Sequence, residues 1–440
     1  MNAASGDTRP NLVLLVVDCL RADRAYGVAG NCRNATTNGL RERGHTFTTA
    51  VSSAANTTPS FASLLSSLFG FHHGVRSLRG YKMKDTFPTL PEVLRDAGYH
   101  TVAEVSGPLI PENRLNRGFD DYVFRGNGMG LFSTFLGQLK RRVRDDDPKP
   151  FFLLLHLWSL HRPRKIRPGW DRPGYGDTRY DRSWSSLDER IGKLLPHLPE
   201  NTVLALTGDH GERFNDGDDE PENFRIASRF PFLENRAEMR HERAKRRRQR
   251  HARKRGEDTG PLGGACHGFH VYEDLVRVPL IFAGPGVPAG GATPDLVRHV
   301  DIGPTLLDLA GVPIPDDFGA DGRSLVPFLR GEAMGNVPAY IEATGENLET
   351  PTRWVASVRT EEMKYCRGLL NEDMPEEMYD LTVDPAEERN LAPDDPRVAL
   401  MRTLFDEFVP DLAATDVETT LTKKEIEDLD DTLRALGYIE

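Results

Sequence analysis

Long hydrophobic runs are missing from this 440-residue chain. The longest near its start, Leu12 to Val17, falls far short of a membrane span. A secretory leader is missing too: Met1 to Arg9 is polar, and the apolar run behind it is short and leads directly into Asp18. Both absences predict a cytoplasmic protein with no transmembrane segment. Cysteine is scarce. Cys19, Cys32, Cys266 and Cys366 form neither a paired zinc-type spacing nor a disulfide framework, which suits a reducing compartment. No internal repeat is evident.

What is present is a globular composition, 38% hydrophobic and 28% charged, in a chain long enough for one large domain and a smaller one, or for two. The net charge of -11 is unevenly spread, because Arg236 to Arg255 holds 11 Lys or Arg against only Glu238 and Glu242. This basic tract belongs to an insertion over 214–265. The insertion opens acidic (NDGDDEPE), becomes helix-compatible at Ile226 to Glu234 and closes in a Gly-rich stretch. It reads as a solvated excursion, or as contact with a polyanion or an anionic membrane.

Several short apolar runs end abruptly in chemistry-bearing residues. PNLVLLVVDCLRAD, from Pro10, reads as a buried parallel strand with Asp18 at its carboxyl end, the edge where open α/β sheets bind ligands. Asp18 could equally cap the next helix. KPFFLLLHLWSLHRP, from Lys149, is a second such strand. It delivers His156, which could be a satisfied core histidine, and His161 in the following loop, structural or functional. NTVLALTGDHGER gives a strand at Val203 to Leu206 with Asp209 and His210 at its end. One carboxylate oxygen and one imidazole nitrogen suit Mn²⁺, Zn²⁺, Mg²⁺ or Ca²⁺ without distinguishing them.

AANTTPSFASLLSSLFGFHHGV, from Ala54, predicts a helix over Pro59 to Phe69 that stops at Gly70, with Thr58 at the N-cap and Pro59 at the first helical position. Thr57 then stands in front of the helix, where first-turn N–H groups and the helix dipole favour an anion. A hydroxyl there reads as a nucleophile, against the plainer reading of an ordinary capped helix packed through Leu64, Leu65 and Leu68. Asp18, Asp209, His210 and the Thr57 oxygen together would make four ligands for one divalent cation. His267 and His270 lie in a loop before a further buried strand, Val278 to Phe282. Beyond Gly331, PAYIEA, WVASVRT, MKYCRGL and EEMYDL predict a small antiparallel sheet over 331–440, closed by a helix from Lys423 to Leu436, behind a catalytic domain over 1–330.

With these segments assembled, the chain resembles the sulfatase family of the alkaline phosphatase superfamily over nearly its full length. The matching stretches are PNLVLLVVDCLRAD, TTPSFASLLSSLFGFHHGV, HLWSLHRP, TGDHGE, YEDLVRVPLIFAGPG, DIGPTLLDLAGV, MYDLTVDPAEERNL and LRALGYIE. Their order and spacing together are specific. The resemblance implies an α/β fold, with a large mixed sheet sandwiched by helices, a smaller C-terminal α+β domain and one bound divalent cation. It places Asp18 on the first metal aspartate, Asp209 and His210 on the second metal pair, and Thr57 on the nucleophile. It also places His161 on a histidine contacting the substrate anion, and His267 on a basic residue that binds the anion or protonates the leaving group.

The chain departs from the family at three points. Formylglycine-forming members carry Cys or Ser at the nucleophile position, and here it is Thr57, whose oxidation would give a ketone, so formylglycine is chemically excluded. The usual second aspartate of the first metal motif is Cys19. No lysine matches the first anion-binding loop, where SGPLIPENR stands instead. The expected activity is metal-dependent hydrolysis of small-molecule or glycan sulfate or phosphate/phosphonate esters through a Thr nucleophile. Alternatives are a phosphoryl or phosphoglycerol transferase, and a catalytically retired protein gripping a polyanion through Arg236 to Arg255.

Overall fold

The computed structural model describes residues 9–78, 80–125, 149–161, 164–214, 267–319, 321–345, 354–371, 373–409 and 420–436. The acidic and basic parts of the insertion, including Arg236 to Arg255, lie outside the described residues.

Eight strands form the main sheet: β1 (Asn11–Val17), β2 (Gly44–Val51), β3 (His100–Val105), β4 (Asp121–Phe124), β5 (Phe151–Leu157), β6 (Thr202–Gly208), β7 (Arg277–Ala283) and β8 (Gly291–Arg298). Their order is β4-β3-β5-β1-β6-β7-β2-β8. From β4 to β6 every pairing is parallel, whereas β7 runs antiparallel to both its neighbours, so the sheet is mixed as expected. Side chains alternate across a strand, and β1 is apolar on both faces because both are covered. Leu12, Leu14 and Val16 join one core with Phe61, Leu64 and Leu65. Val13, Leu15 and Val17 join another with Tyr180, Trp184, Leu187 and Ile191.

The helix Arg179–Leu194 supplies that second face. It opens on a reciprocal cap in which Thr178 and Asp181 satisfy each other's backbone N–H groups. Two strands escape the sequence reading, and they are the sheet's edges. β4 has only four residues, and β8, GATPDLVR, contains a proline that an edge position tolerates.

The second sheet is antiparallel, in the order β12-β11-β10-β9: β9 (Ala339–Ala343), β10 (Val355–Arg359), β11 (Met363–Gly368) and β12 (Glu377–Asp380). The helix Pro396–Phe408 packs on it through Met401 and Phe405, against Tyr340, Val358 and Tyr365. β9 also reaches into the first domain: Glu342 N donates to Ser53 O, and Ala55 N donates to Glu342 O, each at 3.0 Å. The segment leading to Thr57 is therefore hydrogen-bonded to the smaller sheet. A buried ion cluster joins the domains as well. Glu273, just before β7, lies 3.1 Å from Arg359 and 3.3 Å from Lys364, and Lys364 lies 2.9 Å from Glu387.

Candidate active site

Three adjacent parallel strands build the site. β1 is flanked by β5 and β6, with Val17 in register with Gly208 and Val16 with His156. Asp18 and Asp209 therefore emerge side by side, one residue past the paired ends. Asp18, like Val16, faces the side on which the helix Thr57–Ser66 packs. His156 shares that side, with its ring edge-on to Phe61 at 4.8 Å.

The helix itself corrects the expectation. It spans Thr57–Ser66, Asn56 occupies the N-cap with extended backbone, and the chain turns at Ser67 with φ 56°. Thr58 is therefore inside the first turn and not the cap, and Asn56 uses its amide on Gly345 O, 3.2 Å away. Thr57, expected in front of the cap, is instead the first residue of the helix, in the turn whose N–H groups have no intrahelical acceptor. Its Oγ1 lies 3.3 Å from Asp18 Oδ2 and 3.3 Å from His210 Nε2. The Thr58 hydroxyl is buried elsewhere and has no hydrogen-bond partner.

Each ligand candidate is held by one atom and presents another. Asp209 Oδ1 accepts the backbone N–H groups of Cys19 at 3.0 Å and His210 at 2.8 Å, leaving Oδ2 without a hydrogen bond among the described residues, 3.5 Å from His210 Nε2. His210 Nδ1 sits 2.8 Å from Gly211 O, which fixes the ring so that Nε2 faces Thr57. Asp18 Oδ1 has no hydrogen-bond partner either. Burial pushes the Asp18 carboxyl up, but the imidazoles of His156, His161 and His210 outweigh it and hold it well below the usual carboxylate range. Asp209 is pushed up by burial and by the Asp18 charge. Two fully buried carboxylates facing each other, each with an unpartnered oxygen, fit a divalent cation between them.

The expected histidines arrive from both sides. The His267 ring lies 4.5 Å from that of His210 and 5.6 Å from that of His161. His267 Nδ1 is anchored on Glu212 at 2.8 Å, and Glu212 lies 3.3 Å from Arg164. Cys19, in the left-handed region at φ 59°, places its sulfur 3.9 Å from His267. The loop without the expected lysine is filled by an aromatic: a Cβ on Gly107 would come within 2.3 Å of the Trp158 ring, and Trp158 stacks on His161 at 4.1 Å.

The structure thus brings together all the predicted residues, Asp18, Thr57, His161, Asp209, His210 and His267. It adds His156, which the sequence reading had left as a core histidine. One ligand atom each from Asp18, His156 and Asp209 lies within 4.8 Å of the others. The available signal was a polar side chain inside an otherwise apolar strand, FFLLLHL, but its register against β1 could not be read from the sequence.

The Sulfatase family model matches residues 10–312, and the model of the N-sulphoglucosamine sulphohydrolase C-terminal region matches residues 267–412. Arylsulfatase K of Rattus norvegicus is 25% identical over 409 residues, covering 82% of this chain and 70% of that protein. The choline-sulfatase of Rhizobium meliloti is 28% identical, covering 68% and 56%. The delta 4,5-hexuronate-2-O-sulfatase of Bacteroides thetaiotaomicron is 34% identical over 148 residues, covering 31% of this chain and only 29% of its own length. Among solved structures, the phosphonate monoester hydrolase of Agrobacterium radiobacter superposes with a TM-score of 0.65 at 18% identity, covering 91% of this chain and 94% of that one. The complex of Ps i-CgsB with k-i-k-neocarrahexaose gives 0.67 at 17% identity, covering 96% and 98%. These neighbours share the fold, and the family match runs from the residue before β1 to just past the helix Ile302–Leu309, across every strand end that carries the site. The chain belongs to the sulfatase family.

Proposed function

We propose that the protein hydrolyses sulfate or phosphate/phosphonate esters with Thr57 as the nucleophile. The observation that carries this reading is the Thr57 hydroxyl at the mouth of a ten-residue helix, 3.3 Å from both Asp18 Oδ2 and His210 Nε2. Both atoms lie within hydrogen-bond reach of the hydroxyl and fix its position. The residues that would hold a divalent cation are Asp18, Asp209, His210 and Thr57. When bound, such a cation would lower the hydroxyl's pKa and offset charge on the oxygens of the transferred group.

The Thr57 oxygen forms a bond to sulfur or phosphorus as the bond from that atom to the leaving-group oxygen breaks. His161 or His267 protonates the departing oxygen. First-turn N–H groups of the helix hold the non-bridging oxygens. Water then attacks the same atom, and the Thr57 oxygen leaves and regains its proton. Thr57 lacks the second hydroxyl through which a hydrated aldehyde expels sulfate, which favours phosphate or phosphonate esters. The relatives' names favour sulfate, and the name of one of them, a hexuronate-2-O-sulfatase, suggests a sulfated sugar.

The test is turnover of p-nitrophenyl sulfate, phosphate, phosphonate and the phosphate bis-ester by wild type, Thr57→Ala and Thr58→Ala. Turnover should be abolished in Thr57→Ala and retained in Thr58→Ala, with a sulfuryl or phosphoryl adduct trapped on the Thr57 peptide by rapid acid quench. Turnover that survives Thr57→Ala would overturn the assignment.

A further inference from the structure

The geometry points to His156 as an additional protein ligand of the cation, a second imidazole beside that of His210 that makes the site selective for Mn²⁺ or Zn²⁺ over Ca²⁺. This rests on the reading that Asp18 and Asp209 hold a divalent cation.

One ligand atom each of Asp18, His156 and Asp209 lies within 4.8 Å of the others, and among the described residues Asp18 Oδ1, Asp209 Oδ2 and His156 Nε2 are buried without a hydrogen-bond partner. All three residues are 0% exposed, so water does not satisfy these atoms from outside. The orientation of His156 is fixed by its other nitrogen, because Nδ1 lies 3.1 Å from Ser106 O and donates to it. That leaves Nε2 as the atom turned into the site. It faces Asp18 Oδ2 at 3.6 Å, too long for a hydrogen bond. His210 is fixed in the same way by Gly211 O. Both imidazoles thus have Nδ1 tied to a main-chain carbonyl and Nε2 turned inward, the usual arrangement of ligating histidines.

The strand pairing explains why His156 can reach. Its register partner is Val16, two residues before Asp18 on the same face of the neighbouring strand. Cys19, where the family resemblance leads one to expect a second aspartate, turns its sulfur toward His267. The site therefore has one carboxylate fewer and one imidazole more than an oxygen cage for Ca²⁺ needs. Calcium takes six to eight oxygen ligands. Imidazole donors favour the later first-row metals.

The test uses the full chain, stripped with chelator and titrated calorimetrically with MnCl₂, ZnCl₂ or CaCl₂, as wild type and as His156→Gln. Wild type should bind Mn²⁺ and Zn²⁺ more tightly than Ca²⁺. His156→Gln should lose roughly 100-fold in Mn²⁺ and Zn²⁺ affinity, on the scale seen when a ligand environment is broken, while Ca²⁺ binding is retained. Unchanged Mn²⁺ affinity, or equal losses for all three cations, would overturn the assignment of His156. A wild-type chain that binds none of them would instead overturn the cation site at Asp18 and Asp209. Because His156 is buried, its replacement could unfold the protein. Electron spin-echo spectroscopy of the Mn²⁺-loaded wild type gives a second readout, with two directly bound imidazole nitrogens expected and only one if His156 is not a ligand.

Discussion

Ser60, one helical turn beyond Thr57, donates a 2.6 Å hydrogen bond to the backbone carbonyl of Asp209. The helix that carries Thr57 is thereby tied to the strand end that carries a metal-ligand candidate. The Ser52 hydroxyl reaches the same carbonyl at 2.6 Å, so the attachment has two points. Ser60→Ala removes one of them and should cost about 1–2 kcal/mol in denaturant unfolding. It should also lower kcat more than it raises KM, because Thr57 loses its fixed distance to Asp18 and His210. Steady-state kinetics beside equilibrium unfolding check this, and a stability loss with unchanged kcat would contradict it.

Below Ser60 sits His299, its ring nitrogens 3.2 Å from Ser60 Oγ and 3.3 Å from Thr207 Oγ1. Burial lowers its pKa from 6.5 to about 3. The unfolded chain takes up this proton below pH 6.5 and the folded chain does not, so stability falls as pH drops from 6.5 toward 3, by about 1.4 kcal/mol per unit. His299→Gln should be less stable than wild type at pH 7 yet show a shallower decline between pH 6 and 4. Urea midpoints at the two pH values measure the difference, and parallel declines would contradict it.

Glu273 behaves in the opposite sense. Burial raises its carboxyl, but Arg359 and Lys364 outweigh that and bring it from 4.5 to about 2. Its contribution to stability is therefore fully present above pH 4.5 and is lost as pH falls through 2. Glu273→Gln takes the carboxylate away from Arg359 and leaves Lys364 facing Glu387. At pH 7 it should destabilise by about 3–5 kcal/mol, as breaking a buried ion pair does. The gap to wild type should close at pH 2, and thermal unfolding across pH 2 to 7 would reveal a gap that stays constant.

Cys19 holds a left-handed backbone, and its carbonyl accepts a 2.6 Å hydrogen bond from the Tyr180 hydroxyl. Glycine adopts that conformation freely, whereas a β-branched side chain resists it. Cys19→Gly should fold with stability near that of wild type, and Cys19→Val should be destabilised by at least about 2 kcal/mol. Equal stabilities of the two variants would remove the backbone argument.

Much of the fold was legible because its signals are local. The terminal helix from Lys423 to Leu436 has the bounds the sequence predicts, and each of the smaller sheet's four strands falls on its predicted segment. The edges β4 and β8 were not legible, since a four-residue strand and one containing proline carry weak patterns. In the site, Asp18, Asp209 and His210 were visible because each follows an apolar run directly. His156 was not, because its role depends on which residue of β1 it stands beside, and pairing register is not a property of either strand alone. The start of the Thr57 helix was misjudged for a related reason: Asn56 spends its amide on Gly345, nearly three hundred residues away, and no local rule anticipates that.

The hydrogen bonds between β9 and residues 53–55 have a practical consequence. Glu342 and Ala55 pair as neighbouring strands would, within two residues of Thr57, and Gly345 accepts from both Asn56 and Ser77. A fragment that stopped near residue 330 would retain every ligand and histidine of the catalytic centre. It would still lack the scaffold that holds the segment leading to Thr57, so the smaller sheet is a working part of the candidate site and not an accessory to be trimmed.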